Sequence, residues 1–316
     1  MADPMYAIRR AMYVKIEGAY GTDAAPAAGD VVLMRSVNPQ PLVQDFVERT
    51  LVRGYFGRFA RLPIGGRVVI ECEMEMAGFG VAGPAIPTPG YDSLLRICAL
   101  SRTITADTKV DYAPVTPGTD SATIYFYEDG RLHKAFGARG TVRMRMQRNN
   151  IPVYAFTITG LYGGVTDVAF PAVDTSAYVE PKPVVAGNVT AFSFMGIPTL
   201  CLESLEIDLG NSVEYRNLPN CGEAIRVIQR SASASIEIEG TKVAVYNWWD
   251  AVKNATKGAL SIAHGTDAGN IIQLSSPNVQ LTEPRETENQ GIVHQQFSLD
   301  LLPTSVGNNE LLLSIR

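Results

Sequence analysis

Charge is scarce in this chain: Asp, Glu, Lys and Arg together make up only 19% of its 316 residues. A free-standing monomer ordinarily carries more, so part of the surface is expected to meet partners. A basic excess is also missing, the formal net charge being -5. That argues against a conventional nucleic-acid binder, which clusters Lys and Arg to neutralise phosphates. No run approaches the ~18 apolar residues of a membrane span. The opening Met-Ala-Asp-Pro-Met-Tyr-Ala-Ile-Arg-Arg lacks the charged-then-apolar layout of a signal peptide, so synthesis in a cytoplasm is expected. Cysteine is sparse too. Cys72, Cys98, Cys201 and Cys221 include no CxxC pair, and free thiols are expected. What is plentiful is apolar: 46% of the residues, enough for two sizeable cores and too much for a disordered protein.

Helical patterns are also few, and most of the chain reads as short strands between Gly, Pro, Asn and Asp turns. From Ile70 onward one strand alternates strictly, with Glu71, Glu73 and Glu75 on one face and Ile70, Cys72, Met74 and Met76 on the other. Residues 141–146 place Arg143 and Arg145 opposite Met144 and Met146. Asp129-Gly130 reads as a hairpin turn between residues 124–128 and 131–136. Residues 153–159, rich in β-branched and aromatic side chains, form a further strand. Helices are expected over residues 89–101, where Tyr91, Leu94, Leu95 and Cys98 recur at helical spacing, and over 245–256, with Gly258 as a stop signal.

The order of these elements repeats. An acidic-faced strand (68–76, then 231–239) is followed by a helix and two further strands (141–147 and 153–159, then 278–282 and 292–301). The boundary is expected in residues 173–189, where Pro181 and Pro183 interrupt the patterns. This gives a first domain over 1–172, a linker over 173–189 and a second domain over 190–316.

Chemical sites are conspicuous by their absence. Gly78-Phe-Gly80-Val-Ala-Gly83 matches GxGxxG, yet Pro84, Ile86, Pro87 and Pro89 follow where a dinucleotide site needs a helix to open. His133, His264 and His294 stand apart from one another and from any metal-type spacing. No Gly-x-Ser-x-Gly elbow presents a nucleophile. Three carboxylates on one strand face make a stripe of like charge, not an opposed acid and base. Neither catalysis nor a metal or cofactor is expected.

Several stretches resemble the major tail-tube proteins of siphophages. Glu17-Gly-Ala-Tyr20-Gly-Thr-Asp23-Ala-Ala-Pro26 is similar to the family's "E-x-x-Y-G-T-D-x-x-P" start. Asp129-Gly130, His133, Gly137 and Gly140 follow its "D-G-x-x-H-x-x-x-G-x-x-G" hairpin, and Phe156, Gly160 and Tyr162 its "F-x-x-x-G-x-Y" ending. Residues 206–213 resemble a further strand and loop. The resemblance covers most of 15–165 and, more loosely, 185–302, and the second half lacks the Asp-Gly hairpin. It implies a mainly β chain of two tandem tail-tube-like β-sandwich or barrel domains, each with a short flanking helix. It further implies self-association into rings of six such domains, hence trimeric here, stacked into a tube that DNA traverses without sequence-specific contact. Implied partners are tape-measure, tail-tip and tail-terminator proteins, with no membrane, and the implied location is the virion tail.

Under that reading Glu71, Glu73, Glu75, Glu237 and Glu239 are the candidates to line the channel, where negative walls repel phosphates. The alternative is pairing with the Arg143 and Arg145 row on a neighbouring strand. Residues 38–66 mix aromatic and Arg side chains, and Arg53, Tyr55, Phe56, Arg58 and Phe59 are the candidates for ring stacking. The alternative there is an arm packed on its own domain. Competing functions are another virion component of the same fold, such as a tube initiator or head–tail connector, and a carbohydrate-binding or hydrolytic β-sandwich module.

Overall fold

A computed structural model describes residues 5–85, 87–116 and 118–316. Ile86 and the first four residues of the N-terminus, both weighed above, lie outside them. The fold is mainly β. In the first half the elements are β1 (Arg10–Ile16), β2 (Val31–Val32), β3 (Ser36–Val47), β4 (Leu62–Glu75), α1 (Pro89–Ile97), β5 (Leu100–Thr105), β6 (Lys109–Pro114), β7 (Ala122–Glu128), β8 (Arg131–Gln147) and β9 (Val153–Asp167). The second half continues with β10 (Val189–Phe194), β11 (Leu202–Asp208), β12 (Asn211–Leu218), β13 (Gly222–Arg230), β14 (Ser233–Glu239), α2 (Trp248–Lys253), β15 (Lys257–His264), β16 (Ile272–Asn289), β17 (Ile292–Leu301) and β18 (Leu312–Ile315).

Both halves thread their strands alike. Hydrogen-bonded neighbours run β3-β4-β9-β8-β7-β1 in the first and β11-β14-β17-β16-β15-β10 in the second. In each, the helix follows the second strand of that order, β4 or β14. Additions break the symmetry: the β5–β6 hairpin after α1, the β12–β13 hairpin where the first half has the irregular segment 48–61, and the closing strand β18.

The halves are also joined edge to edge. Residues 143–147 of β8 pair with residues 204–208 of β11, and β18 bridges β16 to β6. One apolar cluster therefore runs through both halves, where composition allowed two separate cores. It takes the apolar faces of the alternating strands, such as Ile70, Cys72 and Met74, Met144 and Met146, and Ile236 and Ile238. Leu94, Leu95 and Ile97 of α1 are fully buried against them, each worth ~1.5–3 kcal/mol of apolar transfer. Trp248 of α2 stacks on Phe194 at 5.3 Å and donates its indole N–H to Thr241 Oγ1 at 2.8 Å. Its neighbour Trp249 faces outward. Residues 173–189 are laid onto the fold, with Val184 exchanging backbone hydrogen bonds with Asn149 and Asn150.

Both helices are shorter than their spacing predicted. Ala99 takes the left-handed conformation (φ 61°) and ends α1, so Leu100 and Ser101 begin β5. In α2 the side chain of Asn247 accepts from the Asp250 amide and sets the start, as N-caps do. The stop comes at Asn254 and Ala255 (φ 50°), and Gly258 lies within β15. The Asp129-Gly130 turn has both residues at positive φ, 35° and 97°, as a two-residue hairpin of the primed type demands.

Candidate functional site

The alternation of β4 places Glu71, Glu73 and Glu75 on the sheet face opposite the core, and β14 does the same with Glu237 and Glu239. Because β4 and β14 hold the same place in their halves, the two acidic rows occupy equivalent positions. Between them on the same face lie Arg143 and Arg145 of β8, then Glu206 and Asp208 of β11. Glu206 and Asp208 were not singled out from the sequence, although the alternation Leu205-Glu206-Ile207-Asp208 carries the same signal. The face is hollowed near β3, where Asn38, Glu71, Glu73, Arg143, Arg145 and Glu206 line an open concavity of about 570 Å³.

The acidic and basic rows meet only in part. β9 separates β4 from β8, and Arg145 reaches across it to pair with Glu73. Arg143 turns the other way and pairs with Asp208 at 2.7 Å. Glu237 lies 3.2 Å from His294 Nδ1. Glu71, Glu75 and Glu239 form no ion pair among the described residues. Half-exposed pairs of this kind contribute at most about 1 kcal/mol each, so the face keeps a carboxylate excess.

The segment between β3 and β4 stands away from the body of the protein. Val52 and Phe56 are fully exposed and Tyr55 largely so. Packing of this arm on its own domain therefore does not occur at those side chains. What order the arm has is internal: the Arg53 guanidinium lies over the rings of Tyr55 (4.7 Å) and Phe59 (4.1 Å) and donates to the Arg58 carbonyl at 3.1 Å. Cation–π contacts at exposed sites give ~0.5–1 kcal/mol. At its base the arm meets its counterpart, the β12–β13 hairpin, where Asn217 Nδ2 donates to the Ile64 carbonyl at 2.7 Å.

The N-terminal motif is structural. Glu17, buried, accepts from the Gly21 amide (2.8 Å), Ser121 Oγ (2.7 Å), Thr123 Oγ1 (3.1 Å) and the Gly137 amide (2.8 Å). Tyr20 packs on Gly137, whose positive φ (57°) disfavours a side chain and where a Cβ would fall 2.7 Å from the Tyr20 ring. The Tyr20 hydroxyl accepts from the Ile225 amide of β13 at 2.5 Å. Arg139 donates to the Ile225 carbonyl at 2.5 Å. The motif thus ties the β7–β8 hairpin to the second half. Burial pushes the Asp23 carboxyl up, but hydrogen bonds from Tyr125, the Ala25 amide and Lys134 outweigh it and leave the group below its ordinary value.

The GxGxxG stretch serves the junction between the halves. The Gly78 amide donates to Asn270 Oδ1 (2.7 Å), and the Phe79 and Gly80 amides donate to the Gly269 carbonyl (2.9 and 3.1 Å). Those amides are committed to protein acceptors. Among the described residues no cluster of His, Cys, Asp or Glu could hold a metal. The four cysteines are free, and burial beside Glu73 pushes the Cys72 thiol up to about 12. His133 is half-buried in β8.

His264 gives a pH prediction. Its ring is buried, Nε2 lies 2.9 Å from the Lys182 carbonyl, and Nδ1 has no partner among the described residues. Burial holds its pKa below the ordinary 6.5. A depressed folded-state pKa means the unfolded chain binds the proton first as pH falls. The contribution is complete above pH 6.5 and declines as pH falls through the folded value. Melting temperatures from pH 7.5 to 5 are expected to fall, and to fall less in His264→Gln.

A sequence model of the family described as phage tail tube protein matches residues 7–301. No curated protein matches the chain.

Proposed function

This chain belongs to the phage tail tube protein family, and from that membership we propose that it forms stacked rings around a channel for DNA in a long, siphovirus-like tail. It is a structural component of the virion tail. In the proposed arrangement each chain supplies two tube domains, 1–172 and 190–316, joined by 173–189, and has no enzymatic role. Three chains then close a pseudo-sixfold ring, which stacks head to tail on the next. The observation that carries this reading is the repeated strand order, which sets an acidic row at the same place in each half.

The concave acidic face is assigned to the lumen. Carboxylates there repel phosphates, so DNA passes without the counterion release that would hold it. Tape-measure, tail-tip and tail-terminator proteins are the partners such a tube implies. Synthesis takes place in the host cytoplasm.

The arm is assigned to stacking, its exposed Val52, Tyr55 and Phe56 inserting into the adjoining ring with Arg53 and Arg58 alongside. Val52→Ser with Phe56→Ser is expected to leave the melting temperature within about 1 °C, since neither side chain is buried, while tubes shorten to single rings. Tubes of ordinary length would refute the assignment. Negative-stain microscopy of the purified protein tests the whole reading. Long tubes support it, single rings that never stack point to a connector, and monomers contradict it.

A further inference from the structure

The junction inside the chain specifies the junction between chains. β11, the outermost strand of the second half, is paired on its outer side by the far end of β8. β3 holds the equivalent place in the first half, and among the described residues it pairs with β4 alone. β16 is the counterpart of β8. Its partner β15 begins at Lys257, opposite Gln280, which among the described residues leaves 281–289 unpaired on that side, with 283–288 exposed. One strand edge and one matching half-strand edge are therefore joined within the chain, and one of each is open.

We propose that the outer edge of β3 pairs antiparallel with the open edge of β16 in a second copy of this chain, in the register that joins β11 to β8. This rests on the ring reading above and names the surface by which the ring closes. The contact is heterologous, so repeated copies propagate head to tail until they meet. Assembly then pairs both of these open edges, which otherwise remain free to pair indiscriminately.

The register follows from the pairing on each side. Val153 lies between Glu75 and Arg145 in the first half, and His294 between Glu239 and Thr287 in the second. Thr287 is thus the equivalent of Arg145. Ser36 faces Glu73 as Ser204 faces Glu237, so Ser36 is the equivalent of Ser204. Within the chain Ser204, Glu206 and Asp208 face Gln147, Arg145 and Arg143. Between chains Ser36, Asn38 and Gln40 accordingly face Asn289, Thr287 and Arg285.

Two features of the open edges fit this partner. The internal junction carries the Arg143–Asp208 and Arg148–Glu203 pairs; carried across, these positions become Arg285 facing Gln40 and Gln290 facing Arg35. An arginine meets a polar side chain able to accept its hydrogen bond in each. The second feature is proline. In β11 the odd positions address β8, as the Leu209 amide bonded to the Val142 carbonyl at 3.1 Å and the Glu203 carbonyl bonded to the Arg148 amide at 2.9 Å show. Pro39 and Pro41 stand at the equivalents of Ile207 and Leu209. They offer no outward amide, so the edge of a lone chain cannot seed a full ladder. The Val37 amide and the carbonyls of Val37 and Pro39 remain for the specific partner.

The test is a disulfide. Asn38 and Thr287 fall at a non-hydrogen-bonded pair, where Cα atoms approach to ~4.5 Å, within disulfide reach. In chains carrying Cys201→Ser and Cys221→Ser, which remove the exposed thiols, Asn38→Cys with Thr287→Cys is expected to oxidise in assembled protein to covalent closed trimers. Asn38→Cys with Glu283→Cys, four residues or ~13 Å out of register, is expected to stay monomeric on a non-reducing gel. Assembled rings that do not cross-link, or that cross-link equally in both variants, overturn the edge assignment while leaving the tube reading intact. Wild-type chains that form no rings overturn the tube reading, and this proposal with it. A second variant covers a failure of the cysteine chains to assemble. Glu288→Pro deletes an amide that points outward from β16, away from β17. It is expected to fold with an unchanged melting temperature and to lose assembly; Glu288→Pro rings like those of wild type refute the pairing.

Discussion

Replacing Glu17 with alanine is expected to lower the stability of the chain by roughly 3–5 kcal/mol, because three buried donors and one half-buried donor lose their common acceptor at once. Two of them, the amides of Gly21 and Gly137, cannot rotate to a new partner, whereas Ser121 and Thr123 can turn their hydroxyls. With ~2.1 cal/mol/K of unfolding entropy per residue, a chain of 316 residues shifts by ~1.5 °C per kcal/mol, so the melting temperature is expected to drop by about 5–8 °C. The damage extends past the N-terminal loop. Tyr20 sits three residues on and grips the Ile225 amide of β13, so its release loosens the contact between the halves. Glu17→Gln keeps the length but puts an N–H where a hydrogen bond is accepted now, and is expected to recover less than half of the loss. Thermal denaturation of the three proteins side by side decides it. A Glu17→Ala chain melting within 2–3 °C of wild type would show that the tie is not stabilising.

The second large effect concerns the acidic face proposed to line the channel. Glu71, Glu237 and Glu239 lie on the polar face, and Glu73 is already engaged by Arg145. Reversing those three to lysine is the sharper experiment because it changes the field without breaking that ion pair. The substituted face presents cations to the phosphates of passing DNA, and each cation that captures a phosphate steepens the salt dependence of binding by about 0.9 on a log–log scale. Assembled particles are expected to eject DNA on the order of tenfold more slowly at low ionic strength and to recover as salt is raised. Fully assembled tails that eject at the wild-type rate in low salt would show that the acidic face does not ease the passage of DNA.

The elements easiest to read in the sequence were those whose burial is one-sided. β4 alternates because its even positions meet the core and its odd ones meet solvent, and β17 coincides with residues 292–301 for the same reason. The Asp129-Gly130 turn was legible because positive φ at both positions restricts the residues allowed. The β12–β13 hairpin was not legible: it forms its own two-stranded sheet and buries little besides Ile225, so no apolar period marks it. The end of α1 was misplaced because Ala99, not a glycine, takes the left-handed turn.

The acidic rows of the candidate channel wall were visible as alternation. Their partial neutralisation was not, since Arg145 meets Glu73 only by reaching over a strand that the sequence does not order. The exposure of the arm could not be read from its aromatic content, which suits a core as well as an interface. The joining of β8 to β11 and of β18 to β6 connects residues far apart in the chain. These pairings merge what composition allowed to be two cores, and local periodicity carries no record of them.

In the proposed tube one chain supplies two of the six places in a ring. The mass of the assembled ring, measured by native mass spectrometry or by counting subunits in averaged end-on views, tests it most directly. Three chains to a ring are expected, with sixfold pseudo-symmetry in projection and threefold symmetry in detail. A ring of six chains, each contributing a single position to the channel wall, would contradict it.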